Sequence, residues 1–156
     1  AASHNIRSMN AIDYEAAHLE QLMEGELNAG AERLGYMMQY AHRLEQPGWA
    51  YTAIDQGEVL FCTGIVDMWP GTGEVWFIGS QGIHRKPRKV IEYCRGAMRR
   101  CALENDLWRI QGVCRADWPS ALRFAEFFGF KNEGLMRRYG PEGADYYRVA
   151  WFPDGH

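Results

Sequence analysis

The run from Ser120 to Glu133, Ser-Ala-Leu-Arg-Phe-Ala-Glu-Phe-Phe-Gly-Phe-Lys-Asn-Glu, constrains this chain more than any other stretch. Its spacing predicts an amphipathic helix that stops at Gly129 and passes at once into an aromatic strand. Glycine just past the last apolar turn can take the left-handed conformation that ends a helix. Arg123 and Glu126 stand one helical turn apart, on the polar side of the same helix.

With 156 residues, the chain is read as one domain, 1–156, long enough to bury a core. Residues 1–8 are set aside as a candidate tag remnant. Hydrophobic residues make up 47% and charged residues 24%, an ordinary globular balance. No apolar run approaches the roughly 20 residues that span a bilayer, and no signal peptide is visible, so no membrane partner is expected. A net charge of -3 does not argue for nucleic acid. Cys62, Cys94, Cys101 and Cys114 show no metal-binding spacing and lie in apolar patterns. They read as reduced, buried thiols of a cytoplasmic protein, and no zinc site is expected.

Period changes divide the rest of the chain. Asp13 can cap a helix carrying Ala16, Leu19, Leu22, Met23 and Leu27 on one side. A second helix carries Leu34, Met37, Met38 and Ala41 and ends at Pro47-Gly48. Three strands follow, Trp49–Ile54, Glu58–Met68 and Glu74–Ile78, separated by turn residues at 55–57 and 69–73. A long helix, Pro87–Glu104, buries Val90, Cys94, Ala97, Met98 and Cys101. Pro87 suits its first turn, and Gly96 in its middle costs about 1 kcal/mol against alanine. Strand Trp108–Arg115, helix Pro119–Phe128 and strands Lys131–Tyr139 and Asp145–Phe152 complete the chain. Asp117 reads best as the N-cap of the last helix. The tryptophans read as core and sheet packing, with Trp69 and Trp118 as alternative pocket-lining residues.

The order β-α-α-β-β-β-α-β-α-β-β, with the Ser-x-x-Arg-x-x-Glu-x-x-Gly-Phe run at its end, resembles the Gcn5-related N-acetyltransferase (GNAT) superfamily. The resemblance covers nearly the whole chain and implies an α/β fold with a mixed, mainly antiparallel sheet flanked by helices. It implies acetyl-CoA as cofactor and transfer of its acetyl group to a primary amine of a small molecule or protein. In that family the fourth and fifth strands splay to admit the pantetheine arm. The pyrophosphate lies on the following helix N-terminus. Carried onto this sequence, the resemblance places the cofactor against Phe77, Ile78, Ile83, Arg85, Lys86, Arg88, Lys89 and Phe127. It offers Glu74 as base, and the alternative is an exposed strand-end carboxylate. The usual tyrosine acid position holds Ala125. Tyr139, Tyr146 or Tyr147 can substitute, although tyrosines on strands are more often packing.

The chain departs from the family at the pyrophosphate loop. The stretch Ile83-His84-Arg85-Lys86-Pro87-Arg88-Lys89-Val90 has no glycine at the motif positions, and Pro87 removes a donor. Either the basic side chains hold the phosphates, or CoA is not bound. Seven of the 17 basic residues fall between Arg85 and Arg100, with Glu92 the one acid. A solvated helix face, a CoA phosphate site and a nucleic-acid or other polyanion contact all fit that segment. The run Arg85–Arg95, with Leu107-Trp108 and Leu122-Arg123-Phe124, resembles small GNAT-like proteins of short-tailed bacteriophages. That likeness implies an alternative: a non-catalytic interaction protein in a virion or host cytoplasm, on a scaffold that has lost the CoA loop. The five histidines make no metal spacing.

Overall fold

A computed structural model describes residues 9–24, 43–45 and 49–155. Its elements are β1 (Asn10–Asp13), α1 (Ala16–Glu24), β2 (Ala50–Asp55), β3 (Glu58–Trp69), β4 (Thr72–Gly79), α2 (Pro87–Glu104), β5 (Arg109–Arg115), α3 (Pro119–Phe127), β6 (Lys131–Met136) and β7 (Tyr146–Trp151). Short 3-10 turns occupy Gln81–Arg85 and Pro141–Gly143. The strands form a seven-stranded sheet in the order β1-β2-β3-β4-β5-β7-β6. Its β4–β5 ladder is parallel, and the pairs β1–β2, β2–β3, β5–β7 and β6–β7 are antiparallel. This is the mixed, mainly antiparallel architecture expected. The predicted helix over Leu34–Ala41 lies outside the described residues.

Turn chemistry explains the hairpins. Gln56 and Gly57 both take positive φ, 52° and 79°, between the paired residues Asp55 and Glu58. That is the demand of a two-residue primed turn, whose twist matches its strands. Pro70-Gly71 closes the β3–β4 turn with Gly71 at φ 90°. A Cβ on Gly71 would lie 2.1 Å from the Trp108 ring, so this glycine also seats the indole. The Gly71 carbonyl accepts from the backbone N–H groups of Trp108 and Arg109, which starts β5. These contacts let β4 begin at Thr72, two residues before the expected start.

The chain forms two compact units. The first, within Ala1–Val66 and Trp76–Val90, packs Leu19 and Leu22 of α1 with Tyr14, Leu44, Ala50, Cys62 and Ile78. Asp13 does not cap α1. It lies in β1 opposite Tyr51, and the Ala16 N–H instead donates to Glu45 Oε1 at 2.7 Å. The helix start is therefore supplied by a residue 29 positions away, which local spacing does not show.

The second unit comprises Asp67–Val75 and Ile91–His156, of which residues 67–75 and 91–155 are described. Ile110, Phe128, Phe130, Val149, Ala150 and Trp151 are buried there. α3 ends as the glycine predicts: Gly129 has φ 97°, its N–H donates to Glu126, and the Phe130 N–H donates to Ala125. Those two bonds make a Schellman motif. At its other end, Asp117 is not the cap. Trp118 holds that place without a side-chain bond, Pro119 follows, and Asp117 Oδ1 accepts from Arg115 Nε at 2.8 Å. Trp69 and Trp108 are not core residues either, being 56% and 65% exposed. No helix among the described residues is long and apolar enough to cross a membrane.

Candidate active site

Residues paired across a ladder project from the same face of a sheet. In the second unit one face therefore carries Thr72 and Glu74 of β4, Arg109, Gln111, Val113 and Arg115 of β5, and Tyr146, Arg148 and Ala150 of β7. The opposite face carries Ile110, Cys114, Tyr147, Val149 and Trp151. α3 packs against that second face, where the Cys114 thiol meets the Ala121 carbonyl at 3.8 Å. The first face is mostly polar, and Arg109, Gln111, Glu74 and Arg148 on it are joined by hydrogen bonds.

Glu74 is the centre of that network. Arg148 Nη1 donates to both of its carboxylate oxygens, at 2.9 and 3.0 Å. Gln111 Nε2 donates to Oε2 at 2.8 Å. Gln111 is held in turn by Arg109, whose Nε donates to its Oε1 at 2.8 Å. The other two Arg109 nitrogens reach Glu133, at 3.1 and 2.5 Å. The Arg109 guanidinium reaches Glu133 while lying over the Phe152 ring just past the end of β7, 5.8 Å from its centroid. Glu133 sits at a break in the β6–β7 register between Asn132 and Gly134. The hydrogen bond from Arg109 holds the Glu133 carboxyl below the usual carboxylate range. Arg148 lies under the Tyr139 ring, 5.8 Å from its centroid, and Tyr139 meets Tyr146 edge-on at 5.6 Å.

Of the three residues proposed for catalysis, the structure thus brings two together. Glu74 and Tyr139 share Arg148 as a neighbour. Tyr147 is on the opposite face, paired with Cys114 and Leu135. Sequence reasoning missed Gln111, Arg148, Arg109 and Glu133. A signal for a polar partner existed at Arg148 alone, the one charged residue within β7, and it did not say which partner. A carboxylate so placed can accept a proton, although three of its roughly four lone-pair sites already take hydrogen bonds. Movement of Arg148 would free those it occupies for an incoming group.

The β4 ladder on β5 has three pairs, Thr72↔Arg109, Gly73↔Ile110 and Glu74↔Gln111. β5 continues its ladder with β7 as far as Arg115↔Tyr146. Glu74 and Gln111 therefore occupy the last rung of the parallel ladder.

Most residues proposed for cofactor binding lie in the first unit. Ile78 and Ile83 are 2% and 5% exposed, so only their backbone is available to a ligand. Phe77 stacks on Phe61 at 5.1 Å. Lys86 Nζ bonds Asp55 Oδ1 at 2.8 Å, and Arg85 lies 4.0 Å from Glu58. Arg88 and Lys89, in the first turn of α2, are exposed. The turn before them is packed closely. The Gly82 N–H donates to Ser80 Oγ at 3.2 Å, and a Cβ on Gly82 would lie 2.8 Å from Leu60 Cδ1. Phe127, in the second unit, is 64% exposed, and its carbonyl accepts from Arg95. Among the described residues no group of three or more His, Cys, Asp or Glu could hold a metal ion.

No protein-family model matches the chain, and no curated protein matches it. Solved structures do. An acetyltransferase of the GNAT family from Bacillus anthracis aligns with a TM-score of 0.71 and 14% identity, over 96% of this chain and 97% of that one. A chimeric spermidine N-acetyltransferase from Vibrio cholerae aligns with a TM-score of 0.68 and 14% identity, over 94% and 96%. The ribosomal-protein-S5-alanine acetyltransferase of Vibrio fischeri aligns with a TM-score of 0.67 and 10% identity, over 95% and 94%. At such identities the likeness is one of fold, and the fold is that of the GNAT acetyltransferases.

Proposed function

We propose that this chain is an acetyl-CoA-dependent N-acetyltransferase acting on a primary amine of a small molecule or protein. The observation that carries the reading is Glu74 on the last rung of the short parallel ladder, half-buried on a polar sheet face. Fold neighbours named for spermidine and for a ribosomal-protein alanine support an amine acceptor. Backbone groups of β5 beyond Gln111 would be partners for the amide arm of the cofactor, and exposed Arg88 and Lys89 would hold its phosphates. The cofactor would supply the thioester carbonyl. Glu74 would accept the proton of the amine as Arg148 shifts away, and Tyr139, whose ring lies over Arg148, would return a proton.

A second reading rests on two ion pairs. Lys86 is committed to Asp55 and Glu74 to Arg148, which suits a scaffold that neither binds CoA nor transfers acetyl groups. On this reading the chain is an interaction protein, and the resemblance to small phage proteins would make it virion-associated. Thermal unfolding with acetyl-CoA separates the two. Binding to the folded state alone raises stability by RT ln(1 + [L]/Kd), about 2.7 kcal/mol at a hundredfold excess over Kd. The transferase reading predicts such a shift, its loss in Arg88→Glu/Lys89→Glu, and CoA thiol release with a primary amine. No shift at millimolar acetyl-CoA would leave the scaffold reading standing.

A further inference from the structure

The second unit holds a cleft of about 280 Å³ that the acetyl-transfer reading does not use. Arg95 and Arg99 of α2 and Lys131 at the start of β6 line it, with Phe128, Trp151 and Phe152 as apolar wall. Arg95 and Arg99 are one helical turn apart, so their side chains leave the same side of the helix. The Schellman turn after α3 brings Gly129 against Trp151, where a Cβ would sit 3.4 Å from the indole Cδ1. Arg95 is anchored by one donor to the Phe127 carbonyl and keeps its remaining donors for another partner. Among the described residues that line the cleft none is acidic, and Asp154 lies between two of them, Pro153 and Gly155. Arg95, Arg99 and Lys131 are all exposed around this apolar wall, so water screens their mutual repulsion in part, and a bound anion would offset what remains.

We propose that this cleft binds a phosphate monoester. A doubly charged group with three acceptor oxygens answers three separate cations, where a single carboxylate would leave two uncompensated. The volume lies just below the range of about 300–1,000 Å³ typical of drug-sized pockets, which favours a compact ligand. The net charge of -3 disfavours a long polyanion. The ligand is free phosphate or a phosphorylated small molecule whose apolar part meets Phe152 and Trp151. This inference stands apart from the acetyl-transfer reading, because Arg88 and Lys89 do not line the cleft.

Isothermal titration with inorganic phosphate and with phenyl phosphate, at constant ionic strength, tests it. We expect saturable binding of both, weakened at least tenfold in Arg99→Glu/Lys131→Glu. The neutral pair Arg99→Gln/Lys131→Gln, which removes the charges without reversing them, should weaken binding in the same direction if the reversed variant does not fold. Tighter binding of phenyl phosphate assigns an organic monoester, and equal binding assigns free phosphate. The proposal is overturned by equal binding in the wild type and both double variants. Loss confined to Arg88→Glu also overturns it, since the anion would then sit at the start of α2. A non-saturating heat common to all variants overturns it too.

Discussion

Glu74 shows why one residue can be named from sequence while its chemistry cannot. Its place at the beginning of a strand is visible, but its partners Gln111 and Arg148 are 37 and 74 positions away. The Glu74 and Arg148 side chains are 22% and 21% exposed, so water screens their attraction only in part. The Arg85–Glu58 pair makes a contrast, with 69% and 79% exposure at 4.0 Å. Double-mutant cycles by urea unfolding should give about 1 kcal/mol or more for Glu74→Ala with Arg148→Ala, and close to zero for Arg85→Ala with Glu58→Ala. A coupling near zero for both would remove Glu74–Arg148 as a structural tie and leave Glu74 free to act as a base.

Among the elements, helix boundaries were legible where the chain itself carries the stop signal. Pro87 begins α2 and Gly129 ends α3, because fixed φ and positive φ are local properties. The stripe of α2 was legible in part: Val90, Cys94 and Met98 are buried, while Ala97 and Cys101, expected with them, are only partly so. N-caps at Asp13 and Asp117 were misread, since strand pairing and an arginine took those side chains. Gly96 in α2 has no close neighbour among the described residues to justify it. A Cβ there would meet only Arg100 Nη1, at 3.7 Å. Gly96→Ala should therefore stabilise the protein by roughly 0.5–1 kcal/mol, read as a higher urea midpoint at unchanged slope. A loss of stability would reveal a constraint on that turn of the helix.

For the whole molecule, the buried thiols set an alkaline limit. Burial pushes Cys62 and Cys114 up to about 11 and Cys94 to about 12, from an ordinary value of 9.0. Burial also raises Tyr14. Above pH 9 the unfolded chain releases protons that the folded chain retains, so stability is complete below pH 9 and falls as pH rises towards 11 and 12. Urea unfolding between pH 8 and 11 should show this decline. Cys94→Ala should start from lower stability, because it leaves a cavity, yet lose less of it across the same window. An equal decline in the variant would mean that Cys94 does not keep its proton.

Legible in the amino-acid sequence alone were the elements from β2 onward, the turns at 56–57 and 70–71, and the end of α3, because periodicity and φ preference act over a few residues. It also carried the likeness to the acetyltransferase fold that the solved neighbours bear out. Only the tertiary structure decided which polar groups meet. The Glu133–Arg109–Gln111–Glu74–Arg148 chain joins four strands, and Tyr139 stands with Glu74 while Tyr147 faces away. Pairing register sets those contacts, and a one-residue slip would send each side chain to the other face, so no local pattern could have announced them.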